Sequence, residues 1–325
     1  MRRRKATNAP TSATMPNFFI IGAAKSGTSA LWHHLREHPQ IYMSPRKQTR
    51  FFAFDVEDPN FHGPAPRDLQ RPYAINDLGD YLALFDGIGD ETAVGEASWT
   101  YLYRQEAAGR ISEYVPDARL IAILRNPADR AFSHYRQNLQ AGREPLADFG
   151  RALEGEDARI RDDWWPEFHY VQMGLYRAQL QRYFDTFDRN QIRVYLHEDL
   201  SSDPFGLLRD AFAFLGVDET FTPQTAIRSN PSGAPKSKSL HRLLRRLEST
   251  RPRIERFVPE RTLRPMVRLS RHIKNRNVVQ LALAPEDRRR VIDEYFREDL
   301  EGLQDLIQRD LSAWLGDDRR TDGAG

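Results

Sequence analysis

Short apolar runs alternate with helical patterns along most of the chain. Residues 18–21, 119–124 and 191–196 form brief, nearly continuous apolar runs, which predict buried strands. Apolar residues spaced three and four apart predict helices over residues 30–35, 175–187 and 205–215. A chain that alternates strand and helix predicts an α/β fold with a central parallel sheet flanked by helices.

A glycine-bounded turn joins the first predicted strand to the first predicted helix. It reads Gly22-Ala-Ala-Lys25-Ser-Gly27-Thr28, and its backbone amides and the positive helix end favour an anion. The glycine spacing matches a nucleoside triphosphatase loop, but Thr28 stands where that loop needs its lysine. We therefore expect a phosphorylated donor other than a magnesium-bound triphosphate. An ordinary turn between a strand and a helix is the competing interpretation.

A second candidate anion site follows the strand over residues 119–124. Arg125 comes directly after this strand, Pro127 marks a helix start, and Ser133 lies on the helix that follows. The strand end carries an arginine instead of the acidic residue that would hold magnesium. Two phosphate sites on one parallel sheet fit a nucleotide with phosphates at both ends of its ribose.

Together the two segments resemble the sulfotransferases that use 3′-phosphoadenosine 5′-phosphosulfate (PAPS). The segment Pro45-Arg-Lys47-Gln48-Thr-Arg-Phe-Phe52 is similar to a block of the heparan-sulfate-type branch. The resemblance implies a P-loop-NTPase-like three-layer α/β fold in a soluble, bacterial-type member. It covers one domain over residues 16–317, between a disordered basic tail at 1–15 and a flexible tail at 318–325.

The resemblance also assigns residues to the donor. It places the 5′-phosphosulfate at the turn, the 3′-phosphate at the arginine and serine of the second segment, the adenine beside a tyrosine, and a basic loop over the donor. The implied donor-binding residues are Lys25, Ser26, Gly27, Thr28, Ser29, Arg125, Ser133, Tyr176, Lys236 and Lys238.

The implied reaction is in-line transfer of a sulfuryl group from PAPS, the co-substrate, to a hydroxyl or amine, without a metal. Lys25 and Lys47 would stabilise the charge that develops on the leaving group. The usual general base of this branch is a glutamate, and Gln48 takes its place. An amide accepts hydrogen bonds but cannot take the proton as a carboxylate does.

Three hypotheses follow from Gln48. In the first, another residue is the base: Glu96 is the first candidate, followed by His134 or His169. In the second, the acceptor is as acidic as a phenol and hardly needs a base. In the third, the chain is a weakened or inactive member that still binds donor and acceptor. A P-loop nucleotide kinase is a further, weaker alternative.

The sequence does not identify the acceptor, which we expect to be a small molecule, a lipid or a glycan. Aromatic side chains near the expected cleft suit a planar or lipid-like acceptor, although such residues more often belong to a core. These residues are Phe51, Phe52, Phe54, Trp99, Tyr101, Trp164 and Trp165.

Composition adds few constraints. The 325 residues contain no cysteine and carry a formal net charge of +2, so disulfides and thiolate metal sites are excluded. The first apolar run is far shorter than the roughly 20 residues of a membrane span, and we expect a cytoplasmic protein. The basic stretch from His241 to Arg276 contains leucines at helical spacing, which favours a solvated helix face over nucleic-acid binding. His34 and His38 lack the acidic partners of a metal site.

Overall fold

A five-stranded parallel sheet forms the centre of the protein. The computed structural model describes residues 14–56, 59–64, 72–223, 234–235, 278–279 and 282–316. The strands are β1 (Phe18–Gly22), β2 (Ile41–Met43), β3 (Ala93–Ala97), β4 (Arg119–Leu124) and β5 (Ile192–Leu196). They are ordered β2-β3-β1-β4-β5, and every neighbouring pair in this order is parallel.

Successive strand residues face two separate hydrophobic cores. Phe18 and Ile20 of β1 pack in one core, and Phe19 and Ile21 pack in the other. Both faces of a parallel sheet are covered in this way, which is why its strands read as continuous apolar runs. The result is three layers, with the sheet in the middle.

Helices cover the two faces and fill the connections. They are α1 (Thr28–Leu35), α2 (Leu78–Leu82), α3 (Thr100–Tyr103), α4 (Ala107–Tyr114), α5 (Pro127–Gln140), α6 (Phe149–Glu154), α7 (Glu156–Arg161), α8 (Tyr176–Thr186), α9 (His197–Ser202), α10 (Pro204–Leu215), α11 (Pro285–Val291), α12 (Arg297–Ile307) and α13 (Ser312–Leu315). Short 3₁₀ turns lie at Ala83–Phe85, Pro166–Phe168, Gln172–Gly174 and Arg189–Gln191, and a π-helical turn at Ile292–Phe296 joins α11 to α12.

The predicted fold class is confirmed: a three-layer α/β fold in which a P-loop-like turn joins β1 to α1. The predicted strand over residues 119–124 is β4, and the three predicted helices correspond to α1, α8 and α10. Asn126 caps α5 through its side-chain oxygen, which accepts from the amides of Ala128 and Asp129. Pro127 is the first residue of α5, as its fixed φ favours.

Two short strands, Ala234–Pro235 (β6) and Val278–Val279 (β7), pair antiparallel outside the central sheet. The proposed donor residues Lys236 and Lys238 and the basic stretch at 241–276 fall outside the described residues. Within the described ranges, no helix is both long enough and apolar enough to cross a bilayer.

Candidate active site

The loop between β1 and α1 is held in an unusual backbone conformation. Lys25 and Gly27 have φ angles of 67° and 118°, both in the left-handed region. A Cβ atom at Gly27 would lie 3.0 Å from Leu200 Cδ2, so glycine is needed for both its backbone freedom and its small size. The Ala23 amide donates to the Ile123 carbonyl at 2.8 Å, and His197 Nδ1 donates to the Ser26 carbonyl at 3.0 Å.

The N-terminus of α1 is left uncapped. Gly27 precedes the helix and supplies no side-chain hydrogen bond. The first amides of a helix have no partner within it, and here they follow the turn directly. This is the arrangement in which helix ends bind phosphate or sulfate groups.

The second predicted segment lies directly against this loop. Arg125 Nη1 donates to the Lys25 carbonyl at 3.5 Å, which brings the arginine after β4 beside the loop after β1. Tyr176, the first residue of α8, donates its hydroxyl proton to the Arg125 carbonyl at 3.0 Å. Lys25, Arg125 and Tyr176, predicted from separate parts of the chain, are therefore brought together.

Buried polar atoms without partners lie on α5 behind the loop. Arg130 is fully buried; its Nη2 donates to the Tyr170 carbonyl, while its Nε and Nη1 have no hydrogen-bond partner among the described residues. The Ser133 hydroxyl is also buried and unpaired within that part of the chain. Buried polar groups are nearly always satisfied in folded proteins, so this deficit indicates a site that a polar ligand completes.

A third segment adds Lys47 and Gln48 to the same edge of the sheet. The Gln48 amide donates to the Ala97 carbonyl at the end of β3, at 2.9 Å. Lys47 Nζ donates to Ser29 Oγ on α1 at 2.5 Å. Gln48 has φ 63°, and its Oε1 is buried without a partner in the described structure.

The two lysines are unusually easy to deprotonate. Burial, with the nearby charges of Arg125 and Arg130, lowers the pKa of Lys25 to about 8. Burial, with the charge of Lys25, lowers the pKa of Lys47 to about 8. Positive charge is thus concentrated in a poorly hydrated space, where a bound anion gains the most electrostatic stabilisation.

Glu96 lies at the end of β3 in a different environment. Its carboxylate is fully buried and accepts hydrogen bonds from four hydroxyl groups, those of Thr49, Tyr81, Ser98 and Tyr101. Burial raises the pKa of Glu96 despite these bonds. Both carboxylate oxygens are already engaged, and the role of Glu96 as general base stays a prediction.

The two candidate histidines are both buried and neutral. Burial and the charge of Arg130 lower the pKa of His134 to well below its usual value. Burial lowers the pKa of His169 to about 4, and its Nδ1 shares a hydrogen bond of 2.7 Å with the Tyr103 hydroxyl. His134 is the one influenced by the charge of Lys25.

Most of the aromatic residues that we considered for the acceptor belong to the core. Trp99 and Trp164 are half-buried, and the other five are buried. Both ring nitrogens of His38 are engaged with the backbone, Nε2 with Asp218 and Nδ1 with Gln40. No group of three or more His, Asp or Glu residues in the described ranges is arranged to hold a metal.

The sequence analysis did not identify Arg130 as a residue of the site. Its position five residues after Arg125, on a helix that begins at Pro127, was the available signal. A helix start at that proline directs Arg130 and Ser133 toward the same end of the sheet as Arg125.

Fold and site together define an α/β protein with a P-loop-like turn at the carboxyl edge of its parallel sheet. Residues 97–223 match the model of the sulfotransferase family. The solved sulfotransferase from Alicyclobacillus acidocaldarius is similar over 93% of this chain and 99% of its own, with a TM-score of 0.72 and 36% identity.

Two relatives carry more specific names. Heparan sulfate glucosamine 3-O-sulfotransferase 3A1 from Mus musculus is 29% identical over 69% of this chain and 51% of its own length. Heparan sulfate glucosamine 3-O-sulfotransferase 6 from Mus musculus is 30% identical over 66% of this chain and 56% of its own length. The chain thus spans about half of the length of these relatives.

The chain belongs to the sulfotransferase family. The prediction of a transferase of this family, related to its heparan-sulfate-type branch, is confirmed.

Proposed function

We propose that this protein transfers a sulfuryl group from PAPS to a hydroxyl or amine of its acceptor by in-line displacement. The observation that carries this proposal is the contact between the two anion-binding segments, where Arg125 Nη1 donates to the Lys25 carbonyl at 3.5 Å. A nucleotide with one phosphate on each side of its ribose needs two such sites close together.

The donor would be held by groups with distinct tasks. Amides of the turn and Lys25 would bind the 5′-phosphosulfate, together with Lys47, which donates to Ser29 at the start of α1. Arg125 and the unpaired Ser133 hydroxyl suit the 3′-phosphate. Tyr176 lies beside the proposed 3′-phosphate position, since its hydroxyl donates to the Arg125 carbonyl.

The lysines supply the electrostatic part of the reaction. As the sulfur–oxygen bond to the donor breaks, negative charge develops on the 5′-phosphate that leaves. Preorganised cations in a poorly hydrated site stabilise that charge better than water does. A bound anionic donor would also raise the lowered pKa values of Lys25 and Lys47, so both lysines are charged during the reaction.

The chemistry of the loop disfavours a nucleotide kinase. Thr28 follows Gly27 where a kinase loop carries its lysine. The acidic side chain nearest the end of β3, Glu96, accepts bonds from four hydroxyls and has no free oxygen to offer a magnesium ion.

For the acceptor, we propose a hydroxyl of a glycan or of a smaller molecule or lipid. The names of the heparan sulfate relatives support the glycan. The half-buried Trp99, two residues after the end of β3, is suited to pack against a sugar ring or an apolar group.

Nucleotide binding tests the donor. In calorimetry without magnesium, we expect 3′-phosphoadenosine 5′-phosphate (PAP) to bind at least tenfold more tightly than ADP, because only PAP has the 3′-phosphate. Magnesium-dependent hydrolysis of ATP, or equal affinity for PAP and ADP, would contradict the proposal.

Mass spectrometry tests the transfer. The full chain would be incubated with PAPS and a panel of phenols, alkyl alcohols, sterols and heparan-type oligosaccharides. We expect at least one acceptor to gain the mass of one sulfuryl group. Tight PAP binding with no product from any acceptor in the panel would instead favour the interpretation that the chain binds its donor without transferring from it.

A further inference from the structure

His134 occupies a central position in the site. It follows Ser133 on α5 and lies one helical turn after Arg130. Its ring makes an edge contact with Trp99, with centroids 6.3 Å apart, and another with Tyr170, at 5.9 Å. The imidazole therefore lies between α5 and the half-buried Trp99 that follows β3.

The His134 ring has an unused polar atom. Nδ1 is buried and has no hydrogen-bond partner among the residues that the structure describes. The side chain is only 4% exposed. A buried nitrogen without a partner is costly, and on a helix that also presents the unpaired Ser133 hydroxyl it indicates that a bound molecule completes the site.

Charged groups surround this ring on several elements. The cations Arg130 on the same helix, Lys25 in the loop and Arg143 after α5 act on His134, as does His169. Tyr170, the remaining titratable group in contact, is held neutral because burial raises its pKa. The resting imidazole is consequently neutral, and these cations weaken it as a base while the site is empty.

Three other candidates are less suited. His169 also has a buried ring nitrogen, Nε2, without a partner among the described residues, but Lys25 is not among the charges that shift its pKa. Gln48 carries an amide, which cannot take a proton as a carboxylate does. Glu96 already accepts hydrogen bonds from four hydroxyls and has no exposed surface.

We propose that His134 is the general base of the reaction, an inference that rests on the proposed sulfuryl transfer. The imidazole takes the proton of the acceptor hydroxyl as that oxygen forms its bond to sulfur. The bond between sulfur and the 5′-phosphate oxygen breaks, and its electron pair stays on the departing phosphate. The proton on His134 returns to water once the products leave, because the surrounding cations disfavour the imidazolium.

This arrangement links proton transfer to donor binding. With the site empty, nearby cations disfavour the imidazolium. A donor that carries several negative charges beside Lys25 and Arg130 offsets those cations, so His134 becomes a stronger base when the donor is in place. An opposite charge within a few ångströms shifts a pKa by about 1 to 3 units.

Ring NMR of the full chain tests this coupling directly. The nine histidines would be labelled and titrated between pH 4 and pH 9 with and without PAP, and the His134 signal would be assigned by its loss in His134→Gln. We expect the apparent pKa of His134 to rise by about one unit or more with PAP. His169, the matched buried histidine, should shift by less than half as much, because Lys25 is not among the charges that shift its pKa.

The outcomes separate the two proposals. If PAP does not bind, the donor assignment is wrong. If PAP binds and the His134 signal does not move, the base assignment is wrong while the donor assignment stands.

Kinetics on an acceptor found in the mass spectrometry panel provide a second arm. His134→Gln should lower kcat by about 10² or more for an alkyl alcohol and by less for a phenol, since a phenol loses its proton more easily. His169→Gln should retain most of the activity. If His134→Gln does not fold by circular dichroism, His134→Asn replaces it. A folded variant that keeps more than a tenth of the alkyl-alcohol rate would overturn the proposal.

Discussion

Two polar clusters lie side by side at the carboxyl edge of the sheet, and they differ in how well they are satisfied. The donor cluster consists of Lys25, Lys47, Arg125, Arg130 and Ser133. Its positive charges are crowded, and buried atoms of Arg130 and Ser133 have no hydrogen-bond partner in the described structure. The pKa values of Lys25 and Lys47 are lowered to about 8, mainly by burial.

The glutamate cluster consists of Glu96, Thr49, Tyr81, Ser98 and Tyr101. It buries a carboxylate completely, but four hydroxyls donate to it. A buried polar network of this kind rigidifies a fold when every member is satisfied. The contrast shows that burial alone does not mark a functional site; the donor cluster differs in combining unpaired buried atoms with crowded positive charge.

One short segment contributes to both clusters. Lys47 and Thr49 point to different clusters although a single residue separates them. That residue, Gln48, has φ 63°, and Arg50 has φ 56°. Two non-glycine residues in the left-handed region are uncommon in so short a stretch, and such conformations concentrate at functional sites.

The largest expected effect comes from removing the loop lysine. Lys25→Ala should lower transfer at least a hundredfold at saturating PAPS, because the charge that stabilises the leaving group is lost. The melting temperature should stay unchanged or rise at pH 7, because the lowered pKa shows that the fold disfavours this charge. Steady-state kinetics measure the transfer rate, and thermal unfolding measures the melting temperature. A lower melting temperature with retained activity would make Lys25 a structural residue.

Removal of Arg125, the arginine after β4, should mainly affect the affinity for the nucleotide. A charged hydrogen bond to phosphate contributes about 2 kcal/mol, so Arg125→Ala should weaken PAP binding by about thirtyfold. Binding of adenosine 5′-phosphosulfate, which lacks the 3′-phosphate, should change much less. Ser133→Ala should also reduce the difference in affinity between PAP and adenosine 5′-phosphosulfate, but by a smaller factor.

The control for this calorimetry is Arg119→Ala, at the exposed, opposite end of β4. An unchanged ratio of the two affinities in Arg125→Ala would place the 3′-phosphate elsewhere, with Lys236 and Lys238 the next candidates.

Glu96→Gln should affect stability more than activity. An amide nitrogen cannot accept from the hydroxyls of Tyr81 and Tyr101, so we expect a loss of about 1 to 3 kcal/mol in the free energy of unfolding. Transfer should stay within tenfold of the wild type. Urea unfolding and kcat measure the two effects. A stable variant with almost no activity would make Glu96 the working base and remove the distinction between the clusters.

Gln48→Glu tests whether the missing carboxylate limits the reaction. With His134 as base, we expect turnover of an alkyl alcohol to change by less than tenfold, and PAP affinity to change little. A gain of about 10² or more, the usual contribution of a general base, would instead identify this chain as a weakened member of its family.

The smallest effect concerns pH and stability near the donor cluster. Burial raises the pKa of Glu156 from 4.5 to about 7. The folded state then holds this proton more tightly than the unfolded chain. The stabilising contribution of protonated Glu156 to the free energy of unfolding is therefore present below about pH 4.5 and is lost as the pH rises toward about 7.

Glu156→Gln should flatten this part of the stability curve, whatever its effect on absolute stability. Asp299→Asn is the matched comparison, because burial raises the pKa of Asp299 to about 6 and its window lies lower. Urea unfolding at a series of pH values would show the difference in slope. An unchanged slope in Glu156→Gln would mean that Glu156 is charged throughout this range.

The sequence by itself determined the layers of the fold and indicated the residues that we propose for the donor. Strands covered on both faces are largely apolar, so β1, β4 and β5 were readable as nearly continuous runs. The turn from Gly22 to Thr28 carries its own chemistry, because glycine spacing and a helix start are local properties. Arg125 and Ser133 were readable for the same reason, since each follows a recognisable strand or helix boundary.

Only the tertiary structure decided which polar residues are satisfied. Glu96, His134 and His169 are each a single titratable residue in the sequence, and nothing local separates them. Hydroxyls from Thr49, Tyr81 and Tyr101 reach Glu96 from different parts of the chain. The His134 ring instead contacts Trp99, is influenced by the charges of Lys25 and Arg130, and has Nδ1 unpaired in the described structure. Hydrogen bonding and desolvation depend on neighbours distant along the chain, so they are fixed only when the chain folds.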